Sequence, residues 1–304
     1  MNNSNYHKQV ALLISVIPEI ALESRFALHG GTAINLFDRD MPRLSVDVDL
    51  TYIPIEDRET SFNNISEALK NIKYRIEKRL YGSRVEHKEE LHKLLVSRND
   101  AMIKIEVSQI VRGILGSTTE KNLCEKAQER FNTFCSINIV PIGQLYGGKV
   151  CAAMDRQHPR DIFDVKQLLQ KEGFTKEIKE GFLFRLLSSD RSIQDILFPN
   201  LKDQRLAMAN QFTGMTECQF TYEEYEIERE AMVKRVHASI TEKDKLFILS
   251  FKDLTPDWSV YNFEEYPSIQ WKLLNLEKLK ASNPLKHMEL FDNLKTKLST
   301  LFQI

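Results

Sequence analysis

Residues 29–50 have the sequence HGGTAINLFDRDMPRLSVDVDL, which carries two different structural signals. Gly30-Gly31 ends a short apolar run, and residues 32–37 predict a short helix with Gly31 or Thr32 near its N-cap. After a loop that contains a proline, residues 46–53 alternate apolar and polar side chains, which is the period of a half-buried strand. The segment therefore predicts a glycine turn, a short helix and a strand, in that order.

Two carboxylates lie on the predicted strand. Asp47 and Asp49 are two residues apart, so their side chains point to the same face, about 6.6–6.8 Å apart along the strand axis. Adjacent carboxylates raise each other's pKa unless a positive group lies between them. Mg²⁺ prefers oxygen ligands and binds through a few carboxylates together with substrate phosphates. The pair predicts a magnesium site, and an ordinary solvent-facing pair of aspartates is the alternative.

The Gly30-Gly31-Thr32 turn predicts a complementary phosphate site. Glycines let the backbone approach a ligand closely, and the helix that follows presents N–H groups at the positive end of its dipole. A triphosphate can lie between this helix end and a metal at Asp47 and Asp49. The order and spacing of the two motifs favour one nucleotide site over two unrelated surface features.

A third carboxylate is expected if the site uses two metal ions, which lie about 3.5–4 Å apart in such enzymes. Glu106 is the candidate, because it alternates with Ile105 and Val107 on a strand predicted over residues 101–110. That strand could neighbour the strand of Asp47 and Asp49. An exposed strand glutamate is the alternative interpretation.

A second group of charged residues lies in GGKVCAAMDRQHPRDIFD, residues 147–164. Lys149 and Arg156 share one face of a predicted helix, where they can neutralise phosphate oxygens. Asp161 and Asp164 are one turn apart at the start of the next helix. They can cap that helix, form a salt bridge with Lys149 or Arg156, or take part in the chemistry.

The pattern of apolar residues changes near residue 140. Before this point the sequence predicts alternating elements, and after it the period is helical. We therefore expect an α/β part at residues 1–140 and an all-helical part at residues 141–304. The elements predicted in addition to those above are helices at 5–23 and 56–79, strands at 82–87, 91–97 and 136–140, helices at 142–156, 160–171, 175–187, 191–196, 200–210, 221–237 and 242–253, and two helices within 264–302 broken at Ser282-Asn283-Pro284.

The composition argues against a disordered chain, a disulfide-rich chain and a membrane-spanning chain. Hydrophobic residues make up 42% of the chain and charged residues 28%, as in globular proteins with a packed core. The formal net charge is −1, so binding to nucleic acid would need a local basic patch. The cysteines lack the paired spacing of disulfide frameworks or zinc sites. No signal peptide or membrane-spanning stretch is present, and we expect a cytoplasmic protein with reduced thiols and no membrane association.

The motifs together resemble, in order and spacing, the AbiEii/AbiGii family of nucleotidyltransferase-like toxins. The segments that carry the resemblance are HGGTAINL, PRLSVDVDL, KIEV, GGKVCAAMDR and RDIFDV, within residues 25–170. The family belongs to the superfamily of DNA polymerase beta and aminoglycoside nucleotidyltransferases. The resemblance implies an α+β fold, with a nucleotidyltransferase-type mixed sheet flanked by helices in a core at residues 1–140. It also implies an all-helical C-terminal domain at residues 141–304 that contributes Lys149 and Asp161 to the site.

The resemblance also implies roles for individual residues. Glu106 stands where aspartate is more usual in the family, and Thr32 where the superfamily often has serine. Arg43 and Ser45 fit the family pattern, and they orient the entry to the strand, contact nucleotide or have a structural role in the loop. The implied catalytic residues are Asp47, Asp49, Glu106, Lys149 and Asp161 (or Asp164), the metal ligands Asp47, Asp49 and Glu106, and the nucleotide-binding residues Gly30, Gly31, Thr32, Arg43, Ser45, Lys149 and Arg156.

The function implied by the resemblance is that of a toxin in a toxin–antitoxin or phage-defence system, with a cognate antitoxin as partner. The reaction is an Mg²⁺-dependent attack of an acceptor hydroxyl on the α-phosphorus of an NTP, with tRNA 3′ ends as the implied acceptor. Transfer to a protein or a small molecule, as in AMPylation, and an inactive nucleotide- or partner-binding module are the alternatives. For an RNA acceptor, the candidate basic surface consists of Lys73, Arg75, Lys78, Arg79, Arg156 and Arg160.

Overall fold

The computed structural model describes residues 3–302, and the chain divides into two compact units. The first unit is the chain up to Leu145 together with Arg205–Phe220, and the second is Tyr146–Gln204 together with the chain from Thr221. The first unit contains the β-sheet, and the second is built from helices. The segment Arg205–Phe220 was predicted within the helical part, but the amide of Leu44 donates to the carbonyl of Met215 at 2.7 Å and so joins this segment to the loop before the Asp47 strand.

Seven strands form the sheet within residues 3–302. They are β1 (Phe26–His29), β2 (Asp47–Tyr52), β3 (Ser83–Lys88), β4 (Lys93–Arg98), β5 (Ala101–Arg112), β6 (Thr119–Asn122) and β7 (Ser136–Ile139). Their order in the sheet is β3-β4-β5-β2-β1-β7-β6. The sheet is mixed, since β2 is parallel to β5 and antiparallel to β1. The α+β fold with a mixed sheet is therefore confirmed.

The core of the first unit lies on the apolar side of the central strands. Val48 and Leu50 of β2 are fully buried, as is Ile105 of β5, and burying each such side chain contributes about 1.5–3 kcal/mol. The helices α1 (Asn3–Ala21) and α3 (Arg58–Arg79) pack against the sheet and against each other. The side chain of Asp57 caps α3 by accepting a hydrogen bond from the amide of Thr60 at 2.9 Å.

The glycine turn and the helix after it differ from the predicted short α-helix. A single α-helical turn, α2 (Gly30–Thr32), continues as a π-helix over Ala33–Asp38. The wider winding is closed by the amide of Arg39, which donates to the carbonyl of Ile34 at 2.8 Å. Single-turn π-helical segments are rare and often lie at functional sites.

Two elements of the first unit were not predicted, the edge strand β6 and the helix α4 (Glu125–Phe131). The sequence of β6 is TEKN, which has no apolar alternation because the strand lies at the edge of the sheet. The predicted helix at 200–210 forms only from Arg205 on, as α9 (Arg205–Gln211).

The second unit is helical, as predicted, and its core is rich in aromatic residues. Its fully buried side chains include Phe182, Phe184, Phe247, Phe251 and Phe263. The predicted break at 282–284 is confirmed, because the side chain of Asn283 accepts a hydrogen bond from the amide of Lys286 and caps the last helix. The helices are α5 (Ile142–Arg156), which begins before Tyr146, α6 (Pro159–Lys171), α7 (Lys176–Leu187), α8 (Ile193–Leu197), α10 (Tyr222–Ser239), α11 (Glu242–Lys252), α12 (Pro267–Ser282) and α13 (Pro284–Thr300).

Two predictions from composition can be compared with the structure. The four cysteines, all within residues 3–302, are free thiols, in agreement with the predicted absence of disulfides. None of the helices between these residues combines the length and the apolar composition needed to cross a bilayer.

Gly147 of α5 marks a close approach between two helices of the second unit. A Cβ atom on Gly147 would lie 2.2 Å from the backbone nitrogen of Phe182 in α7. We expect Gly147→Ala to lower the free energy of unfolding by about 1–3 kcal/mol or more, because backbone atoms have to move to admit the methyl group. Urea unfolding followed by circular dichroism measures this change.

Gly148→Ala is the matched control for this prediction. A Cβ atom there would lie 3.5 Å from the Cγ atom of Arg185, an ordinary contact. Alanine is favoured over glycine inside a helix by roughly 1 kcal/mol, so we expect unchanged or raised stability. Equal destabilisation by the two substitutions would contradict the close approach at Gly147.

Candidate functional site

The pairing of β2 with its two neighbours assembles the first group of predicted residues. Asp47 and Asp49 are both half-buried on β2. In the parallel register with β5, Asp47 is opposite Lys104 and Asp49 is opposite Glu106. In the antiparallel register with β1, His29 is opposite Asp49. The glycine turn after His29 therefore begins beside one of the two carboxylates.

The glycine turn lies directly against the polar residues of β2 and the loop before it. Gly30 has φ = +74°, and a Cβ atom there would lie 2.6 Å from Oδ2 of Asp49. A Cβ atom on Gly31 would lie 2.9 Å from Nη2 of Arg43 and 3.0 Å from Oγ of Ser45. Gly30 is therefore required by its left-handed backbone as well as by the close approach of Asp49, whereas a side chain at Gly31 would have to displace the ends of Arg43 and Ser45.

Thr32 joins the turn to the start of β2. Its side chain is fully buried, and its Oγ1 atom lies 3.0 Å from Oγ of Ser45 and 2.5 Å from the carbonyl oxygen of Asp47. A hydroxyl has one hydrogen, so it donates to one of these two oxygens at a time. The side chain of Asn35 donates to the carbonyl of Gly31 at 2.9 Å and holds the other side of the turn.

Lys104, which was not predicted as a site residue, supplies positive charge beside the carboxylates. Its Nζ atom lies 2.8 Å from Oε2 of Glu106. Burial lowers the pKa of Lys104, but the hydrogen bond to Glu106 and the charges of Asp47, Glu106 and Asp49 outweigh this effect and raise it. The signal in the sequence was its position two residues before Glu106, on the same face of the strand.

Glu106 is engaged by two lysines. Besides Lys104, the Nζ atom of Lys93 lies 3.4 Å from Oε2 of Glu106. Burial raises the pKa of Glu106, but Lys104 and Lys93 outweigh it and lower the pKa below its usual value. Glu106 therefore lies on the strand beside Asp49, as expected, with its charge compensated by the two ammonium groups.

A metal ion bound at this end of β2 would have Asp47 and Asp49 as carboxylate ligands, beside the lysine-paired Glu106. Across residues 3–302, no three His, Cys, Asp or Glu side chains are grouped so that they could hold a metal ion by themselves. Mg²⁺ usually retains several water or phosphate ligands and takes only one or two carboxylates from a protein. Asp47 and Asp49, half-buried and with hard oxygen donors, fit such an ion.

The second group of predicted residues forms an ion-pair cluster within the second unit. The Nζ atom of Lys149 lies 3.0 Å from Oδ1 of Asp161 and 3.0 Å from Oδ2 of Asp164. The Nε and Nη2 atoms of Arg156 lie 2.5 Å and 3.1 Å from the two carboxylate oxygens of Asp161. Of the alternatives for Asp161, the salt bridge is therefore present, and the N-cap of α6 is His158 instead.

Burial distinguishes the members of this cluster. Lys149 is 6% exposed, whereas the side chain of Arg156 is 61% exposed. Burial by itself raises the pKa of Asp161, but the charges of Lys149 and Arg156 outweigh it and hold the pKa well below its usual range. The carboxylate of Asp161 is therefore ionised and neutralised inside the unit.

The basic residues predicted on α3 fall into two groups. Arg75 lies 2.9 Å from the carboxylate of Glu23, just after α1. Arg79 lies 3.3 Å from the carboxylate of Glu19, within α1. Lys73 is half-buried and Lys78 is exposed. The side chain of Tyr74 is 63% exposed, and the Nζ atom of Lys78 lies 5.6 Å from the centroid of its ring. Arg160, in the first turn of α6, is half-buried.

Comparison with known proteins gives one family and a similar fold. The chain matches the model of a family described as nucleotidyl transferase AbiEii toxin, type IV TA system, over residues 11–274. Among solved structures, it is similar to MenT4, a nucleotidyltransferase toxin from Mycobacterium tuberculosis H37Rv, with a TM-score of 0.58 and 10% identity over 91% of this chain and 99% of that chain. At this identity the likeness concerns the fold alone. A search of curated protein sequences finds no match.

The buried ion pairs of Asp161 predict a stability that depends on pH. Asp161→Asn removes a carboxylate charge that compensates the positive charges of Lys149 and Arg156. We therefore expect the free energy of unfolding at pH 7 to fall by about 3 kcal/mol. The folded pKa of Asp161 is lowered. Its contribution is therefore complete above the unfolded pKa of about 3.9 and is lost as the pH falls toward the folded value.

Urea unfolding at pH 7, 5 and 3 measures the difference between wild type and Asp161→Asn. We expect the full difference at pH 7 and 5 and a smaller one at pH 3. Asp292→Asn, at an exposed position on α13, is the control and should change stability by less than about 0.5 kcal/mol. A difference for Asp161→Asn that is the same at all three pH values would show that the carboxylate charge is not involved.

Proposed function

Because the chain belongs to the AbiEii family of nucleotidyltransferase toxins of type IV toxin–antitoxin systems, we propose that Asp47 and Asp49 form its catalytic centre. The observation that carries this proposal is the close approach of the Gly30 backbone to the carboxylate of Asp49, at the end of β2 where Asp47 also lies. The family implies an NTP substrate and a cognate antitoxin as partner. We also propose that the protein acts in phage defence and that it is located in the cytoplasm.

The proposed reaction is attack of an acceptor hydroxyl on the α-phosphorus of the NTP. A bond forms between the acceptor oxygen and the α-phosphorus, the bond to the β-phosphate oxygen breaks, and pyrophosphate leaves. When bound at Asp47 and Asp49, Mg²⁺ supplies Lewis-acid stabilisation of the charge on the phosphates. Gly30 and Gly31 let the phosphates approach the backbone, since neither residue has a side chain to block them.

Arg43, Ser45 and Glu106 are proposed to position the groups around this centre. The guanidinium of Arg43 and the hydroxyl of Ser45 lie against Gly31, where they can orient the turn or donate to a phosphate. Glu106 is proposed to complete the site or to accept the proton of the acceptor hydroxyl. Its ion pairs with Lys93 and Lys104 keep it ionised at neutral pH, the state that either role requires.

Lys149, Arg156 and Asp161 are proposed to contribute to the reaction from the second unit, as the resemblance implies. The charge of Lys149 is compensated by Asp161 and Asp164, so its action on a triphosphate would require that one of these ion pairs weaken. Arg156 is the most exposed basic member of the cluster, and Asp161 orients its guanidinium. This arrangement favours Arg156 as the phosphate-binding residue and Lys149 as its support.

We infer that the acceptor is RNA, with the 3′ end of tRNA as the specific proposal. The observation that supports RNA over protein is the exposed ring of Tyr74 on α3, which has the Nζ atom of Lys78 5.6 Å from its centroid and Lys73 next to it in sequence. Lysines next to an exposed aromatic ring suit single-stranded nucleic acid, because bases stack on the ring while the ammonium groups bind phosphates. Transfer to a protein hydroxyl is the second candidate, favoured by the net charge of −1.

The catalytic centre is tested by Asp47→Ala and Asp49→Ala. We expect nucleotidyl transfer to fall by a factor on the order of 10³ or more, because several kcal/mol of transition-state stabilisation would be lost. Stability should change by less than about 0.5 kcal/mol. The measurement is incorporation of each α-labelled NTP into total cellular RNA and into protein, together with growth of cells that express the variant.

Glu129→Ala, an exposed carboxylate on α4 of the same unit, is the control and should retain activity. Transfer at the wild-type rate by either aspartate variant would refute the catalytic assignment. If wild type labels protein instead of RNA, the catalytic assignment still holds, but the proposal of an RNA acceptor is refuted.

The acceptor surface is tested by the double variant Lys73→Ala, Lys78→Ala. Each phosphate contact that is lost should reduce the slope of log affinity against log salt by about 0.7–0.9. We expect weaker RNA binding and a flatter salt dependence, with unchanged NTP binding. The control is Lys278→Ala with Lys295→Ala, which removes the same charge from exposed positions on α12 and α13. RNA affinity and salt slope equal to wild type in the Lys73, Lys78 variant would exclude this surface.

A further inference from the structure

A buried basic cluster lies at the end of β5, outside the carboxylate site. Arg112 and His92 are each 6% exposed. The Nε and Nη1 atoms of Arg112 and the Nδ1 atom of His92 are buried without a hydrogen-bond partner in the described part of the chain. Buried arginines are almost always paired, and an unsatisfied buried donor costs stability. The cluster therefore contains buried nitrogen atoms whose hydrogen-bonding capacity is not used within residues 3–302.

The ring of Phe62 on α3 is contacted by three basic side chains. The Cζ atoms of Arg58 and Arg112 lie 4.7 Å and 5.4 Å from its centroid. The imidazole of His92 packs edge-on against the same ring, with the centroids 4.6 Å apart. Contacts with an aromatic ring attract cations but do not neutralise them, so the positive charge of the cluster remains.

The charges of the cluster repel one another. Burial lowers the pKa of Arg112, and the charge of Arg58 lowers it further. The pKa of His92 is lowered by burial and then by His87, Arg112 and Arg58. Asp57 and Tyr52 act in the opposite direction on Arg112. The carboxylate of Asp57 is exposed and caps α3 through the amide of Thr60, and the two guanidinium groups outnumber this one carboxylate, so the charge at the cluster favours an anion.

The backbone holds His92 in an unfavourable conformation. His92 has φ = +47°, in the left-handed region that residues other than glycine seldom adopt. Its carbonyl accepts from the amide of Val107 at 3.0 Å, and its amide donates to the carbonyl of Glu89 at 3.0 Å. These two backbone hydrogen bonds fix the turn that carries His92 before β4.

The cluster reaches the surface through Arg58 and is separate from the transferase site. Arg58 is exposed in the first turn of α3, whereas Arg112 and His92 form the buried base. Arg112 is opposite Tyr52 in the β2–β5 pairing, three residues further along β2 than Asp49. No residue of the cluster belongs to the groups of Asp47 or Lys149.

We propose that Arg58, His92 and Arg112 bind a phosphate group, as a second anion site that is independent of the transferase centre. The three side chains come from three separate parts of the chain, the start of α3, the turn before β4 and the end of β5, and all three contact the ring of Phe62. A phosphate has several acceptor oxygens in a tetrahedral arrangement and can accept from all three, and a guanidinium is well suited to bind it. Inorganic phosphate, a nucleotide and a nucleic-acid backbone share this chemistry.

Thermal unfolding of the full chain with inorganic phosphate tests the site. The comparison is with sodium chloride at equal ionic strength, and EDTA is present to keep phosphate from binding through metal ions. At ten times the dissociation constant, we expect phosphate to raise Tm by roughly 2–3 °C for a chain of this length. Arg112→Met should abolish this rise. Without phosphate it should be no less stable than wild type, because it removes an unpaired buried charge.

Two further variants keep the proposal open to refutation if Arg112→Met fails to fold. Arg58→Met, at an exposed position, should reduce the rise in Tm. Arg84→Met removes the same charge from an exposed position on β3 and should retain the full rise. The proposal is overturned if phosphate has no effect on wild type beyond that of chloride, or if the rise is equal in wild type, Arg58→Met and Arg84→Met.

Binding of a short oligouridylate distinguishes the sources of the phosphate. It is measured in the Asp47→Ala background, where the proposed transfer is blocked, with and without Arg112→Met. Weaker RNA binding, with a salt slope smaller by about 0.7, would identify a nucleic-acid backbone as the ligand. Unchanged RNA binding, with loss of the phosphate-dependent rise in Tm, would identify a small phosphate or nucleotide. Both results support the site, and neither depends on whether the transferase centre is correct.

Discussion

The pairing of β2 between β1 and β5 is the constraint on which the site depends. Val48 and Leu50 are fully buried in this register, and Asp47 and Asp49, which alternate with them, therefore point to the other face. A slip by one residue would bury both carboxylates and expose both aliphatic side chains. The packing of the core and the position of the carboxylates are consequently fixed by the same hydrogen-bond register.

The glycine turn and the neighbouring charges follow from that register. Asp49 is opposite His29, so the turn that begins at Gly30 has to pass beside its carboxylate. Asp47 is opposite Lys104, so an ammonium group lies next to the acidic pair. The aspartates thus lie between the Gly30 backbone and the ammonium group of Lys104, which limits their repulsion.

Lys149 and Arg112 are both buried cations, but only the charge of Lys149 is compensated by carboxylates of the described chain. Lys149 has two carboxylates at 3.0 Å, and its cluster is electrostatically complete. Arg112 is equally buried but has neither an ion pair nor partners for its Nε and Nη1 atoms within residues 3–302. A buried charge without a partner is costly, and an external anion would remove that cost at Arg112 but not at Lys149.

The sequence by itself determined the elements whose signals are local. The alternation around Asp47 and Asp49, the period of the helices, the glycine turn and the break at Asn283 depend on residues only a few positions apart. The strand of Glu106 was expected beside that of Asp49 and pairs with it. The edge strand β6 was not predicted because it has no apolar alternation. A helix was predicted at residues 32–37, but its π winding was not, because no local periodic signal indicates it.

Only the tertiary structure decided which distant residues meet. It brought Arg43 against Gly31, Lys104 beside Asp47, and Met215 to Leu44 across more than 150 positions of sequence. It also showed that Arg75 and Arg79 bind carboxylates of the chain itself, and that Arg112 is buried without an ion pair among residues 3–302. The reason is physical: the compensation of a charge depends on burial and on partners brought together by folding, and neither is contained in the spacing of residues along the chain.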